Sequence, residues 1–384
     1  MSYLIVFNVI FLCFLMEKYI KMKKIYLKYF ICLFLCLFLC FSYFNGSDWR
    51  HYEKSYYFFN FSNFLEYEFE KGYSFYISIY RFFNINFFPF FIFNKILCFL
   101  CFFYVIKKYS ENIYFALLIF FTQLSLYLFI DCPFRNLIAI SIFIIAISYI
   151  EKKVWLFYFY IFLGYFFHNS IIIFVILPPL LFLYKKLKVN KFILILIFLT
   201  LIFLFSNGKY IFLIISKLSF SPTLQWRLYN YLGTNYAVEE VFSIRSIRLI
   251  EKIIIGLIGI LNRKEIENNF KYGRNILFFT LIFIILFRIG ITIPILGRVA
   301  LYLRLFYVIF LTYILKILKN KVIRTFYIIG FYIYSLGSII ILTNETYVYL
   351  PYTSYLKYIF QEKPSYNYRD NYNKNYFKMK REKK

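Results

Sequence analysis

An arginine and a histidine held apart by two equal apolar arms are the residues of this chain best suited to chemistry. Arg135, followed by Asn136, stands near the start of the stretch 131–169, and His168 stands at its end. Between them two apolar segments meet at the basic turn Glu151-Lys152-Lys153. A guanidinium holds an anion through paired N–H groups and keeps its charge when desolvated. An imidazole exchanges a proton near neutral pH. A hairpin with arms of about 15 residues returns to its starting level after a rise of about 22 Å, short of the ~30 Å hydrocarbon core. With the lysines at the inner interface, the two side chains are expected side by side, several ångströms below the outer one. Ionisable groups at that depth face a cavity and carry function by default.

The elements that position them follow from composition. Of 384 residues 62% are hydrophobic and 26% aromatic, with a mean hydropathy of +0.68. Apolar runs recur along nearly the whole length, which predicts an all-α polytopic integral membrane protein of about twelve transmembrane helices, between ten and thirteen. Residues 1–360 read as one transmembrane domain. Its outer loops, about 45–87 and 207–248, are expected to carry short interfacial helices. The basic, Asn- and Tyr-rich tail 361–384 is expected to lack structure. Pro178-Pro179 is expected to break the apolar run after His168.

Lysines gather in short loops such as 17–28, 107–112 and 316–324. The net charge of +27 is therefore a topology signal, and no nucleic-acid partner is expected. The tail's side stays open: twelve crossings leave it outside, whereas the charge rule pulls it in. Cys32, Cys36 and Cys40 fall on one stripe and Cys98 and Cys101 share another helix, with no His or carboxylate at ligand spacing. They read as packing residues, and no metal or cofactor is expected.

Arginine is distributed differently from lysine. In the inner loops only Arg263, Arg274 and Arg324 are arginine, whereas Arg50, Arg81, Arg135, Arg227, Arg245, Arg248 and Arg298 fall on the outer side. Arg288 and Arg304 lie at matched depths inside two spans, and with Arg298 they give the outer half of one hairpin three guanidiniums. That pattern suits a phosphorylated anion. The bland alternatives are chance among few residues, or arginines bonded to helix-end carbonyls.

The succession GSDWRHY, EKGY, FRNLIAISIFIIAI, FFHNSIII, GRVALYLRLFY and YLPY resembles the EpsG/Wzy-type polysaccharide polymerases of capsule, exopolysaccharide and O-antigen pathways. The likeness covers residues 1 to about 355 in order and spacing, and leaves the tail unmatched. It implies a site built from Asp48 and Tyr52, Arg135, His168 and Ser170, and Arg298 and Tyr302. One departure is the absence of an arginine before the first motif, where Phe41-Ser42-Tyr43-Phe44 stands; Arg50 is the possible substitute.

The resemblance implies a bacterial inner-membrane enzyme that transfers a glycan from an undecaprenyl-pyrophosphate donor to another lipid-linked repeat unit, with its site facing the periplasm or exterior. Membrane lipid, a chain-length regulator and a flippase of the same pathway are the implied partners. Arg135, Arg298, Arg304 and Arg288 would stabilise the leaving diphosphate without a metal. His168 would act as base or substrate-orienting group, and Asp48 as acceptor binder or rival base. A capping role for His168 is the alternative. A flippase of the same lipid-linked sugars and an O-antigen ligase remain rival functions; no internal repeat of the transporter kind is present.

Overall fold

The computed structural model describes residues 2–19, 24–66, 69–186, 189–205, 244–293, 296–346 and 348–382. In chain order α1 (Ser2–Tyr19) and α2 (Lys24–Cys40) precede two short helices, α3 (Trp49–Phe58) and α4 (Lys71–Phe82). Then come α5 (Phe87–Tyr109), α6 (Ile113–Asp131), α7 (Phe134–Ala146), α8 (Val154–Tyr165), α9 (Asn169–Lys186) and α10 (Lys191–Leu204). The rest comprises α11 (Ile244–Leu261), the short α12 (Arg263–Asn269), α13 (Gly273–Thr292), α14 (Gly297–Ile317), α15 (Lys321–Glu345) and α16 (Tyr366–Glu382). Among the described residues there is no strand, and the architecture is that of an all-α polytopic membrane protein.

Every segment expected to cross is a helix. α5, α6, α9, α13, α14 and α15 are long and apolar enough to do so by length and composition. α1, α2, α7, α8 and α10 are apolar but shorter, and α11 carries Arg248, Glu251 and Lys252 within its length. Asparagines start three of the helices: Asn112 accepts the Phe115 N–H, Asn190 that of Phe192, and Asn320 those of Val322 and Ile323. Lys107 and Lys108 close α5, and Lys185 and Lys186 close α9, beside the exposed helix-end carbonyls. Pro178 and Pro179 do not break the run. They sit in the first turn of the α-helical part of α9, and the residues before them, Asn169–Ile176, are wound as a 3₁₀ helix. Proline tolerates that position because its missing N–H would have no intrahelical partner there.

The chain forms two compact units, Met1–Val175 with Asn320–Lys384, and Ile176–Lys319. In the first, α6 is the core. It packs against α1, α2 and α15, and the rings of Phe120 and Phe129 meet Phe102 at 5.4 and 5.8 Å. Lipid offers apolar side chains as good a medium as protein, so such helices associate through close packing and interhelical hydrogen bonds, with ring pairs adding about 0.5–1.5 kcal/mol each. The second half of α6, Phe121–Asp131, is a π-helix that ends on Cys132 in the left-handed conformation.

In the second unit α13 and α14 form a tight hairpin, with Phe279 on Phe306 at 5.0 Å and Phe283 on Tyr307 at 5.1 Å. α11 lies along α13, and α10 packs on both. At the other end of the hairpin Glu267 accepts from Arg263 at 2.7 Å and Arg274 at 2.9 Å. Burial works against its charge, but these two arginines hold the carboxyl below its usual range. Two of the three inner-loop arginines are thus a structural clasp.

The tail is helical, not unstructured. α16 docks on α3, and its inward face carries the buried Arg369 and Asn373 with the half-buried Tyr366 and Asp370 at helical spacing. No apolar stripe announces such a helix, which is why the sequence reads as disordered there.

Candidate functional site

The first motif is pinned by the last. Strand-like pairing joins Tyr43 N to Thr353 O at 3.0 Å, Gly46 N to Val348 O at 2.9 Å and Tyr355 N to Phe41 O at 2.7 Å. Gly46 has φ +92°, and a Cβ there would lie 2.3 Å from the carbonyl oxygen of Ile130, so only glycine fits against the end of the π-helix. Next to it, Ser47 donates its N–H (2.9 Å) and hydroxyl (2.7 Å) to Asp131. Asp48 then starts α3, its carbonyl accepting from His51 and Tyr52, and its carboxylate lies near Ser47 Oγ at 3.1 Å.

The hairpin α7–α8 brings its two ends together, and a residue from neither arm joins them. Arg135 donates through Nη1 to Glu70 Oε2, while Glu70 Oε1 accepts the backbone N–H of Asn169 at 3.3 Å. Glu70 opens α4 in the EKGY motif. The start of α4 abuts the end of α8: Tyr73 N donates to Phe166 O at 3.0 Å, and a Cβ on Gly72 would lie 2.3 Å from Phe166 Cβ. Glycine in that motif is therefore the condition for seating Glu70.

Around the pair lies a cage of rings. The Arg135 guanidinium stacks over Phe69 at 4.2 Å, and Tyr52 packs edge-on to Tyr73 and Phe134 at 6.1 and 5.8 Å. The buried Tyr52 phenol lies against Arg135, with Asp48 in its field; burial pushes it up to about 12, with Arg135 pulling the other way, so the hydroxyl stays protonated and able to donate. Tyr73 Oη, Arg135 Nε and both amide atoms of Asn136 are buried without a hydrogen-bond partner among the described residues. Buried polar atoms are almost always paired, so these call for a partner such as water, at Tyr73 and Arg135, which lie in each other's field, and at Asn136.

His168 follows the end of α8, half-buried. Its Nδ1 lies 2.7 Å from Ser170 Oγ and receives the Ser170 N–H at 3.3 Å. That contact orients the ring through the first turn of α9, and in the neutral ring it places the proton on Nε2. Of the expected residues, Arg135 meets Glu70 directly and Tyr52 lies against Arg135 with Asp48 in its field, while His168 and Ser170 flank the Asn169 N–H that Glu70 accepts and Asn136 follows Arg135 in sequence. Arg50 stands apart from them. It donates to Asp370, to the Asp370 carbonyl at 3.2 Å and to Gly46 O at 2.8 Å, and it covers Trp49 at 4.9 Å.

The second unit holds its own cationic cavity of about 240 Å³, whose lining includes Arg248, Phe287, Gly290, Gly297 and Arg304. Gly290 and Gly297 let α13 and α14 approach closely at its mouth, where a Cβ on Gly290 would stand 2.5 Å from Gly297 Cα. Lys252, buried on α11, pairs with Glu251 at 2.8 Å and lies over Phe287 at 4.7 Å, and Tyr307 donates to the other oxygen of Glu251. Arg304 was expected here, and Arg248 only as one of the outer-loop arginines, because the sequence places the start of this helix after residue 248; Glu251 and Lys252 lie past that point, and nothing in the sequence marked them out. Arg288, Arg298 and Tyr302 do not line the cavity: Arg298 is exposed and Tyr302 is buried in the helix packing. Arg227, and the side chain of Arg245, lie outside the described residues.

No curated protein and no solved structure matches the chain at a significant level. The EpsG family profile matches residues 25–358. That span includes both arms of the hairpin, Glu70, the cationic cavity of the second unit and the YLPY segment that closes on the first motif, and it stops short of the tail. The chain belongs to the EpsG family, a family of Wzy-type polymerases.

Proposed function

We propose that the chain joins undecaprenyl-diphosphate-linked oligosaccharide units into a surface polysaccharide by glycosyl transfer at the outer face of the inner membrane. The observation that carries this reading is the convergence on Glu70. Arg135 and the Asn169 N–H meet there, beside Tyr52 and among polar atoms left unpaired. A sugar presents hydroxyls as both donors and acceptors, which the Glu70 carboxylate and the protonated Tyr52 hydroxyl suit.

The reaction needs a group that takes the proton of the attacking hydroxyl. That oxygen then bonds to the anomeric carbon of the donor, and the bond to the diphosphate breaks, the leaving group keeping the electron pair. Of the two candidate bases, Asp48 is the better placed chemically. The His168 lone pair at Nδ1 is engaged by Ser170, so the neutral ring offers an N–H and serves as a donor that orients substrate. Arg135 and the protonated Tyr52 supply positive potential to the same surroundings. The second unit's cavity gives separate support: Arg248 and Arg304 line it, and the buried Lys252–Glu251 pair lies within their field, a cationic lining suited to a diphosphate.

Deleting the gene and analysing the host's glycans tests the reading. Loss of long chains with a single capped unit retained is the polymerase result, and Arg135→Ala in a stably inserted protein should reproduce it. Units trapped on the cytoplasmic side would indicate a flippase instead. Unchanged polymer after deletion would refute the proposal.

A further inference from the structure

The tail lies beyond the residues the family profile matches, yet it is built into the element that carries Asp48 and Tyr52. Arg369 donates through Nη1 and Nη2 to the two carboxylate oxygens of Glu53 at 2.7 and 2.9 Å. Its guanidinium lies among the rings of Trp49 (5.1 Å), Phe88 (5.2 Å), Tyr43 (5.7 Å) and Tyr366 (5.7 Å). Both partners are buried, Arg369 at 7% exposure and Glu53 at 8%. A buried pair persists because it is bidentate and stacked, and removing one member strands the other charge. Four residues away Asn373, fully buried, donates to Phe44 O and Val348 O at 3.5 Å each, and Asp370 receives Arg50. The face of α16 that meets α3 is therefore a sequence of specific polar contacts.

We propose that α16 is a strap that fixes α3, with Arg369 as the positioning residue for Asp48 and Tyr52. The link to activity rests on the reading of those two residues given above; the strap itself does not. Glu53 lies one residue after Tyr52, and Trp49 one residue after Asp48, so the cage clamps both site residues from their neighbours. In a polymerase, a strap at this point holds Asp48 and Tyr52 in place from one transfer to the next.

Trp49, 1% exposed, reports on the clamp directly. In a full-length protein carrying Trp155→Phe and Trp226→Phe, Trp49 is the sole tryptophan. Ending that chain after Glu362 should raise acrylamide quenching of Trp49 by roughly threefold or more, as local opening exposes the ring. A synthetic peptide of residues 363–384 should restore protection, and the same peptide with Arg369→Gln should not. Arg369→Gln in the intact chain, which leaves the tail attached, should show the same rise should the shortened chain fail to insert. In the host, both variants should shorten the polymer at equal membrane abundance. Unchanged quenching overturns the strap. Raised quenching with polymer of normal length overturns the positioning role, while the polymerase reading fails only if deleting the gene leaves the polymer intact.

Discussion

At the scale of single residues the site turns on which group holds a lone pair where a proton must go. With Nδ1 of His168 engaged by Ser170, His168→Gln keeps a donor at the position and should retain measurable polymerisation. Asp48→Asn removes the base and should lower turnover by about 10²–10⁴-fold. Turnover of purified protein on a lipid-linked repeat unit separates the two, and equal losses would return the base to His168. Arg135 and Glu70 act as a pair, and their side chains are 22% and 11% exposed, so solvent screens part of the attraction. A double-mutant cycle on thermal unfolding with Arg135→Gln and Glu70→Gln should give a coupling of about 1–2 kcal/mol. That the two ends of the α7–α8 hairpin meet could be foreseen because equal arms return to one level, a local property of the chain. Glu70 could not. It reaches Arg135 across 65 positions of sequence, and although it opens the EKGY motif, nothing in that motif says which residue it meets.

At the scale of elements the contacts that seat the site are backbone approaches at glycine. Gly72→Ala places a methyl against Phe166 Cβ and within 2.8 Å of the Phe166 carbonyl oxygen, so the start of α4 must move off the end of α8. Overpacking of that kind costs about 1–3 kcal/mol and here also withdraws Glu70 from Arg135. The variant should therefore unfold at lower temperature and lose more activity than its stability loss explains; a parallel Gly330→Ala, inside a helix with nothing within 4 Å, should leave activity unchanged and not lower the unfolding temperature. Hydropathy revealed the apolar helices because membrane insertion demands it. It missed the early start of α11, which takes Arg248 out of the loop and puts it on the lining of a cavity. It missed α16 as well, since a stripe of Tyr, Arg, Asp and Asn holds a helix by stacking and hydrogen bonds that no periodicity of apolar residues records.

For the molecule as a whole, two signals in the sequence compete over the tail: its basic charge and the number of crossings before it. Docking of α16 on α3 decides between them within the first unit, because the tail must share the side of the loop that follows α2. The turn at Glu151-Lys152-Lys153 lies at the opposite end of the α7–α8 hairpin from Arg135, on the side where lysines accumulate. Each of Ser62, Asn371 and Lys152 is exposed, so a cysteine at each can be reached by a membrane-impermeant maleimide, with the parent chain as blank. In intact cells Ser62→Cys and Asn371→Cys should label together, and Lys152→Cys only after permeabilisation. That result would put the basic tail on the side that the positive-inside bias disfavours, held there by the docking of α16 through the bidentate Arg369–Glu53 pair. Labelling of Asn371→Cys with Lys152→Cys would separate α16 from α3 and take the strap with it.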